Sequence, residues 1–361
     1  MIPIYKPYMP ENLITGINEI LYSGQLGFGK YGKQFESQLQ SFIGCKYLLS
    51  VNSYNTAMQI VLTTLGLNSG DEIIASPVSC LASNQPFAIK GLKVVWADID
   101  PKTGTLCPDD VKSKISKNTK AIFHNHFCGY IGDIDGINSI GKEFGIPVID
   151  DAIEAFGSEY KGNKLGNVGS DLTVFSFQTV RLPNTIDGGA IVFKDQKLYE
   201  KAKLIRDYGI DRSIFRTPDG EINPECDIKL PGYGGLMSEL NSYIGIKQME
   251  DIGVLLTLQR NNAKVWINEV MKEENIIMLS PNSNVIPNYW VFGILCKNKK
   301  EAIYNFKEKG FYATGVHINN NVYSVFNNKT NLKGVNEFVD NFVAIPCGWW
   351  LEENDINSIK W

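Results

Sequence analysis

The stretch Val174–Phe193 reads VFSFQTVRLPNTIDGGAIVF. Its flanks, Leu172-Thr-Val-Phe-Ser-Phe177 and Gly189-Ala-Ile-Val-Phe193, are short apolar runs rich in aromatic and β-branched residues. Runs of that length and composition form buried strands. The residues between them are polar and include Pro183, Asn184 and Gly188, which turn a chain. The pattern predicts a strand, a turn and a strand, with the intervening loop placed to present side chains.

Working outward, strand-like runs alternate with amphipathic segments. Helices are expected over 11–22, with Leu13, Ile14, Ile17, Ile20 and Leu21 on one side, and over 33–42, 56–65, 108–117, 133–144, 195–207 and 238–273. Strands are expected at Tyr47–Val51, Glu72–Ala75, from Lys93, from Ala121 and at Pro147–Ala152. Alternation of this kind specifies an α/β fold with a mostly parallel sheet. From Asn275 the alternation continues with Ile276–Leu279, Tyr289–Cys296, helix 299–309, Ala344–Pro346 and helix 353–359, which suggests a small C-terminal α/β domain. Length alone suggests two domains, and the pattern divides them as a large domain over 1–245 and a small one over 246–361. Asn319 to Asn321 read as polar loop, and the polar stretch 211–229 is long enough to serve a function.

A net charge of −4 gives no general attraction to nucleic acid or to an anionic membrane. No apolar run is long enough to cross a bilayer, and the first residues lack the regions of a signal peptide. The seven cysteines form no C-x-x-C pair, so reduced thiols and a cytoplasmic location are expected. His124 and His126 alternate on a strand, with no third ligand apparent in the sequence, so no metal site is expected.

The central stretch resembles the lysine loop of the DegT/DnrJ/EryC1/StrS sugar aminotransferases, F-S-F-(H/Q)-x-x-K followed by G-(E/D)-G-G. Phe175-Ser176-Phe177-Gln178 and Asp187-Gly188-Gly189 match it. Further framework matches run along almost the whole chain: Phe35-Glu36, Asp98-Ile-Asp100-Pro101, His126 with Gly129, Asp151, Phe156-Gly157, Arg206-Asp-Tyr-Gly209, and Ser238-Glu239-Leu240. The resemblance implies pyridoxal 5′-phosphate (PLP) fold type I: a three-layer large domain with a mixed, mostly parallel sheet, plus a small C-terminal α/β domain. It also implies a homodimer and a nucleotide-linked sugar of surface-polysaccharide biosynthesis as ligand. In the family an aspartate at the position of Asp151 pairs with the pyridinium nitrogen of the cofactor, which draws electrons from the substrate α-carbon.

The positions of the family's cofactor pocket are Ser53, Tyr54, Asn55, Cys80, Asp151, Ser176 and Gln178. Several depart from its pattern. Arg181 stands where the Schiff-base lysine belongs, Tyr54 and Asn55 where the phosphate loop has glycine and threonine, and Cys80 where an aromatic ring stacks on the pyridine. Glu154 replaces a glutamine, Gly234 an asparagine and Leu236 an arginine. Arginine stays protonated and cannot form the imine that transamination needs. These changes predict a refilled site in which Arg181 pairs with Asp151 or Glu154 and Tyr54 fills phosphate or ring space. They predict that no cofactor is used; the other reading is PLP or pyridoxamine 5′-phosphate (PMP) held non-covalently, in a sugar aminotransferase or 3-dehydratase. Arg181, Asp151, His126 and Glu154 are the candidate acid, base and anion contacts of an enzyme acting on a nucleotide-linked sugar. A non-catalytic binding or regulatory homologue is the alternative.

Overall fold

The computed structural model describes residues 1–279, 281 and 283–357. Seven strands form the central sheet: β1 (Tyr47–Val51), β2 (Glu72–Ala75), β3 (Lys93–Trp96), β4 (Thr119–Asn125), β5 (Val148–Ala152), β6 (Leu172–Ser176) and β7 (Gly189–Phe193). Their spatial order is β1-β7-β6-β5-β4-β2-β3. All pairs are parallel except the two made by β7, which runs antiparallel to both β1 and β6. The strand-turn-strand stretch therefore supplies β6 and β7, and its reversal is what makes the sheet mixed. The strands β1, β4, β5, β6 and β7 are almost wholly buried, as apolar runs covered on both faces by helices must be. The fold expected from the resemblance is the one observed.

Gly189, the first residue of β7, shows why this junction admits no side chain. A Cβ there would lie 2.7 Å from the Phe175 carbonyl oxygen and 3.4 Å from the Tyr54 Cα. The β6–β7 turn is thus pressed against the start of the helix Tyr54–Thr64.

Several framework matches turn out to be long-range caps. Glu239 accepts hydrogen bonds from the backbone N–H groups of Gly29 (2.9 Å), Tyr31 (3.0 Å) and Gly32 (2.9 Å). These are orphan donors at the start of a helix, where a carboxylate is favoured. That helix consequently begins at Lys30, earlier than periodicity alone places it, and ends at Ile43. Asp98 accepts from Gly334 N (3.0 Å) and Val335 N (2.9 Å), opening a helix Lys333–Asn341 that the local sequence does not announce. Arg206 donates to Glu36 Oε1 (2.6 Å) and to the Ser50 carbonyl (2.7 Å), tying two helices to β1.

The 32-residue helix Glu239–Val270 runs from the central sheet to a second sheet formed by Ile276–Met278, Phe292–Cys296 and Phe342–Ile345, all antiparallel. The boundary expected at 245/246 falls inside this helix. In the expected helix over 11–22, Ile20 and Leu13 are buried but Ile14 and Leu21 are exposed. The terminal helix is seen as Glu353–Asn357, the rest of the expected 353–359 lying outside the described residues. Asn320 and Asn321 are buried, contrary to the polar-loop expectation: Asn320 donates from its side chain to Ser79 Oγ (3.1 Å) and from its backbone to the Pro77 carbonyl (2.7 Å). Among the described residues no helix is long and apolar enough to cross a membrane.

Candidate active site

Strand alternation sorts the polar residues at the ends of β4 and β5. The two strands are in register with His124 opposite Asp150 and Asn125 opposite Asp151. Successive side chains point to opposite faces, so Asn125 and Asp151 share one face and His124 and Asp150 the other.

On the first face, Asp151 is fully buried and makes three hydrogen bonds, all to neutral donors. Its Oδ1 accepts from the Tyr54 hydroxyl (2.7 Å) and from Ile153 N (3.1 Å), and its Oδ2 from Asn125 Nδ2 (2.6 Å). Burial raises the Asp151 carboxyl above its ordinary value, and these donors offset that only in part. Tyr54, the first residue of its helix, is 1% exposed. Burial, then the Asp151 carboxylate, holds its phenol protonated well above the ordinary range. Ser53 caps the same helix, its hydroxyl accepting from Thr56 N at 3.1 Å. Asn55 is exposed. Ser176 is buried at the end of β6, its hydroxyl accepting from Gln178 N at 3.4 Å.

Beside this group lies a second cluster. Arg181 is buried, with its Nη2 3.5 Å from Glu154 Oε1. Its Cζ sits 4.3 Å from the centre of the Trp290 ring, and Trp290 in turn stacks on Tyr5 at 4.5 Å. Its Nε and Nη1 are buried without a hydrogen-bond partner. Glu154 also meets His317 Nε2 at 2.8 Å and accepts from Cys128 N at 2.8 Å. Burial pushes the Glu154 carboxyl up, but His317 and then Arg181 outweigh it and hold the group below its usual value. Cys80 lies within electrostatic reach of Glu154, Arg181 and Asp151. Burial, then Glu154, pushes its thiol up to about 11, so it is not a thiolate nucleophile at neutral pH.

The structure thus resolves the two pairings left open for Arg181. It faces Glu154, and Asp151 is taken by Tyr54. His126 belongs to neither group. Its Nε2 lies 3.3 Å from Asp150 Oδ1, and its ring is 4.6 Å from that of His124, on the other side of the sheet from Asp151. Asp150 is the third donor that the sequence did not reveal beside the two histidines. Gly132 N–H donates to His126 Nδ1 at 3.3 Å, so the neutral ring carries its hydrogen on Nε2, toward Asp150. The arrangement is that of a buried carboxylate flanked by two imidazoles at 3.3 and 3.5 Å, close enough for electrostatic attraction but without hydrogen-bond geometry. Burial alone would raise the Asp150 carboxyl, and the two histidines override it. His317, Trp290 and Tyr5 escaped the sequence reading. The one signal for His317 is scarcity, since it is the third of only three histidines.

A family model for the DegT/DnrJ/EryC1/StrS aminotransferases matches residues 7–360. AtS13 from Actinomadura melliaura is 30% identical, with 99% of this chain and 96% of that one aligned at a TM-score of 0.93. The sugar aminotransferase CalS13 from Micromonospora echinospora is 27% identical, with 99% and 97% aligned at a TM-score of 0.93. The putative sugar aminotransferase Spr1654 from Streptococcus pneumoniae, solved in PLP and PMP forms, is 21% identical, with 99% and 96% aligned; its PMP form gives a TM-score of 0.89.

These relationships overturn the expectation that no cofactor is used: the matched family is one of aminotransferases, and the neighbour Spr1654 is solved with both PLP and PMP. The physical reason is that losing the lysine removes a covalent attachment and leaves non-covalent binding open. The donor set retains Asp151, Ser176 and Gln178 at the pocket positions. The arrangement seen here nevertheless does not fit a pyridine ring, because Tyr54 already holds Asp151 Oδ1. The cavity beside Arg181, Tyr5 and Trp290 measures about 20 Å³, room for about one water.

Proposed function

The chain belongs to the DegT/DnrJ/EryC1/StrS aminotransferase family, and on that basis we propose that it acts on a nucleotide-linked sugar without a covalently anchored cofactor. The observation that carries this reading is Arg181. It lies in the loop between β6 and β7 at the lysine position, it cannot lose its proton, and its guanidinium faces Glu154. PLP or PMP, when bound, supplies an electron sink for the substrate; with arginine at position 181 only non-covalent contacts could hold it, and Tyr54 would first have to leave Asp151. Ordinary ping-pong transamination, which passes through an imine on the protein, is therefore closed to this chain. A neighbour of this fold, a GDP-4-keto-6-deoxymannose-3-dehydratase solved with a trapped PLP-glutamate geminal diamine, is consistent with a keto sugar on a nucleotide as the ligand class. The reading also takes the chain as a homodimer in the cytoplasm.

The buried Arg181 and the occupied Asp151 support a second reading, a homologue that binds the sugar nucleotide without turning it over.

The test supplies the purified protein with PLP, glutamate and UDP-, GDP- or dTDP-linked keto sugars. The reading expects heat of binding with a nucleotide-linked sugar and no sustained formation of amino sugar. Steady amino-sugar formation by the native chain refutes it. Binding with no conversion of the sugar of any kind favours the second reading.

A further inference from the structure

Among the described residues no cation lies against the buried carboxylate of Asp151. It is the one fully buried acid of the site whose partners are all neutral. Glu154 has His317 and Arg181, and Asp150 has His124 and His126. A cationic ring nitrogen would stabilise a carboxylate buried in this way, and the group that occupies Oδ1 instead is Tyr54. Its phenol is 1% exposed and its oxygen is 2.7 Å from Oδ1. The ring cannot withdraw along its own backbone, because the start of its helix is packed against β7, where Gly189 already leaves no room for a Cβ. The ring itself must turn out of the way.

We infer that Tyr54 sets the affinity of this chain for a pyridine-ring cofactor, its phenol standing where the ring nitrogen would meet Asp151. The inference rests on the reading that such a cofactor enters this site without a covalent bond. Two contributions add. The phenol occupies the volume, and it supplies a neutral hydrogen bond that a cation must replace at Oδ1. Removing the ring releases both; removing only the hydroxyl releases the second and leaves the volume filled.

PMP is the probe, because its amine forms no imine with surface lysines. Equilibrium dialysis is run on the native protein, Tyr54→Gly, Tyr54→Ala and Tyr54→Phe, each checked for native-like circular dichroism. Tyr54→Gly and Tyr54→Ala are expected to bind PMP about tenfold or more tighter than the native chain, and Tyr54→Phe within about threefold of it. The gain is expected to vanish when Asp151→Asn is added. Equal affinity of folded Tyr54→Ala and the native chain overturns the inference. So does a gain in Tyr54→Phe as large as in Tyr54→Ala, or a gain that survives Asp151→Asn. Should neither small variant fold, thermal-shift measurement of the native chain and Tyr54→Phe decides. Stabilisation of the native chain by micromolar PMP contradicts a blocking Tyr54, and its absence until PMP is near millimolar upholds it. Arg181→Lys separates this inference from the reading beneath it. If Arg181→Lys forms a reducible adduct with PLP at residue 181 and Tyr54→Ala adds nothing to PMP affinity, only the role of Tyr54 fails. If Arg181→Lys forms no adduct even when combined with Tyr54→Ala, PLP does not enter this site and both fail.

Discussion

The Tyr54 hydroxyl donates to Asp151 Oδ1 at 2.7 Å in the buried centre of the molecule, joining the first residue of a helix to the end of β5. The bond links a residue that departs from the family's pattern to one that keeps it. A buried acceptor that loses its donor bears the desolvation cost. Tyr54→Phe keeps the ring and is expected to destabilise the fold by about 1–3 kcal/mol in urea denaturation. No change in the midpoint would show that the bond contributes nothing.

Asp151 also predicts a pH dependence. Its carboxyl is raised in the folded chain, chiefly by burial. A raised carboxyl favours the folded state when protonated, so its contribution is fully present below the ordinary carboxylate pKa and is lost as pH rises through the folded value. Asp151→Asn cannot ionise. The stability of Asp151→Asn relative to the native chain should therefore climb as the pH rises above the ordinary carboxylate pKa of about 4. Thermal midpoints of the two proteins at rising pH provide the check, and a difference that stays flat above the ordinary carboxylate pKa would show that the folded chain does not hold the carboxyl raised.

Glu239 tests the framework apart from the site. It satisfies three backbone donors at the start of the helix Lys30–Ile43. Glu239→Ala leaves them without a partner and should cost about 2–4 kcal/mol, more than an ordinary cap because the residue is buried. Glu239→Gln, which keeps one acceptor oxygen, should recover part of the loss.

Cys80 gives a chemical readout of its surroundings. With its thiol pushed up to about 11, it should react slowly with iodoacetamide at neutral pH, its rate rising about tenfold per pH unit through pH 9. Peptide mapping distinguishes it from the other six cysteines. Rapid labelling at pH 7 would mean that the thiol is activated by Arg181 or His317.

The residues that set the fold were legible because their signals are local. The β6 and β7 runs, the Gly188-Gly189 turn and the buried strand ending at Asp151 can each be read within a few residues. The helix Lys333–Asn341 was not legible, because its cap is Asp98, more than two hundred residues away. The site divides in the same way. Arg181 and Tyr54 announce themselves by replacing residues of a motif. Their partners were decided by packing: the guanidinium went to Glu154 and the phenol to Asp151. His317 comes from the C-terminal part of the chain and lies on no motif used above, yet its ring meets Glu154. His126 matches a motif, but the alternation of the strand turns it to Asp150.

The central claim is that Arg181 denies the protein a covalent cofactor, and reduction of the native protein and of Arg181→Lys with borohydride after incubation with PLP tests it most directly. Peptide mass mapping then locates any pyridoxyl group. The account predicts that the peptide carrying residue 181 is unmodified in the native protein and carries the group in Arg181→Lys, most fully when Tyr54→Ala is added. A stoichiometric pyridoxyl group on any single lysine of the native protein would contradict it, since the chain would then have moved its imine-forming amine to another position.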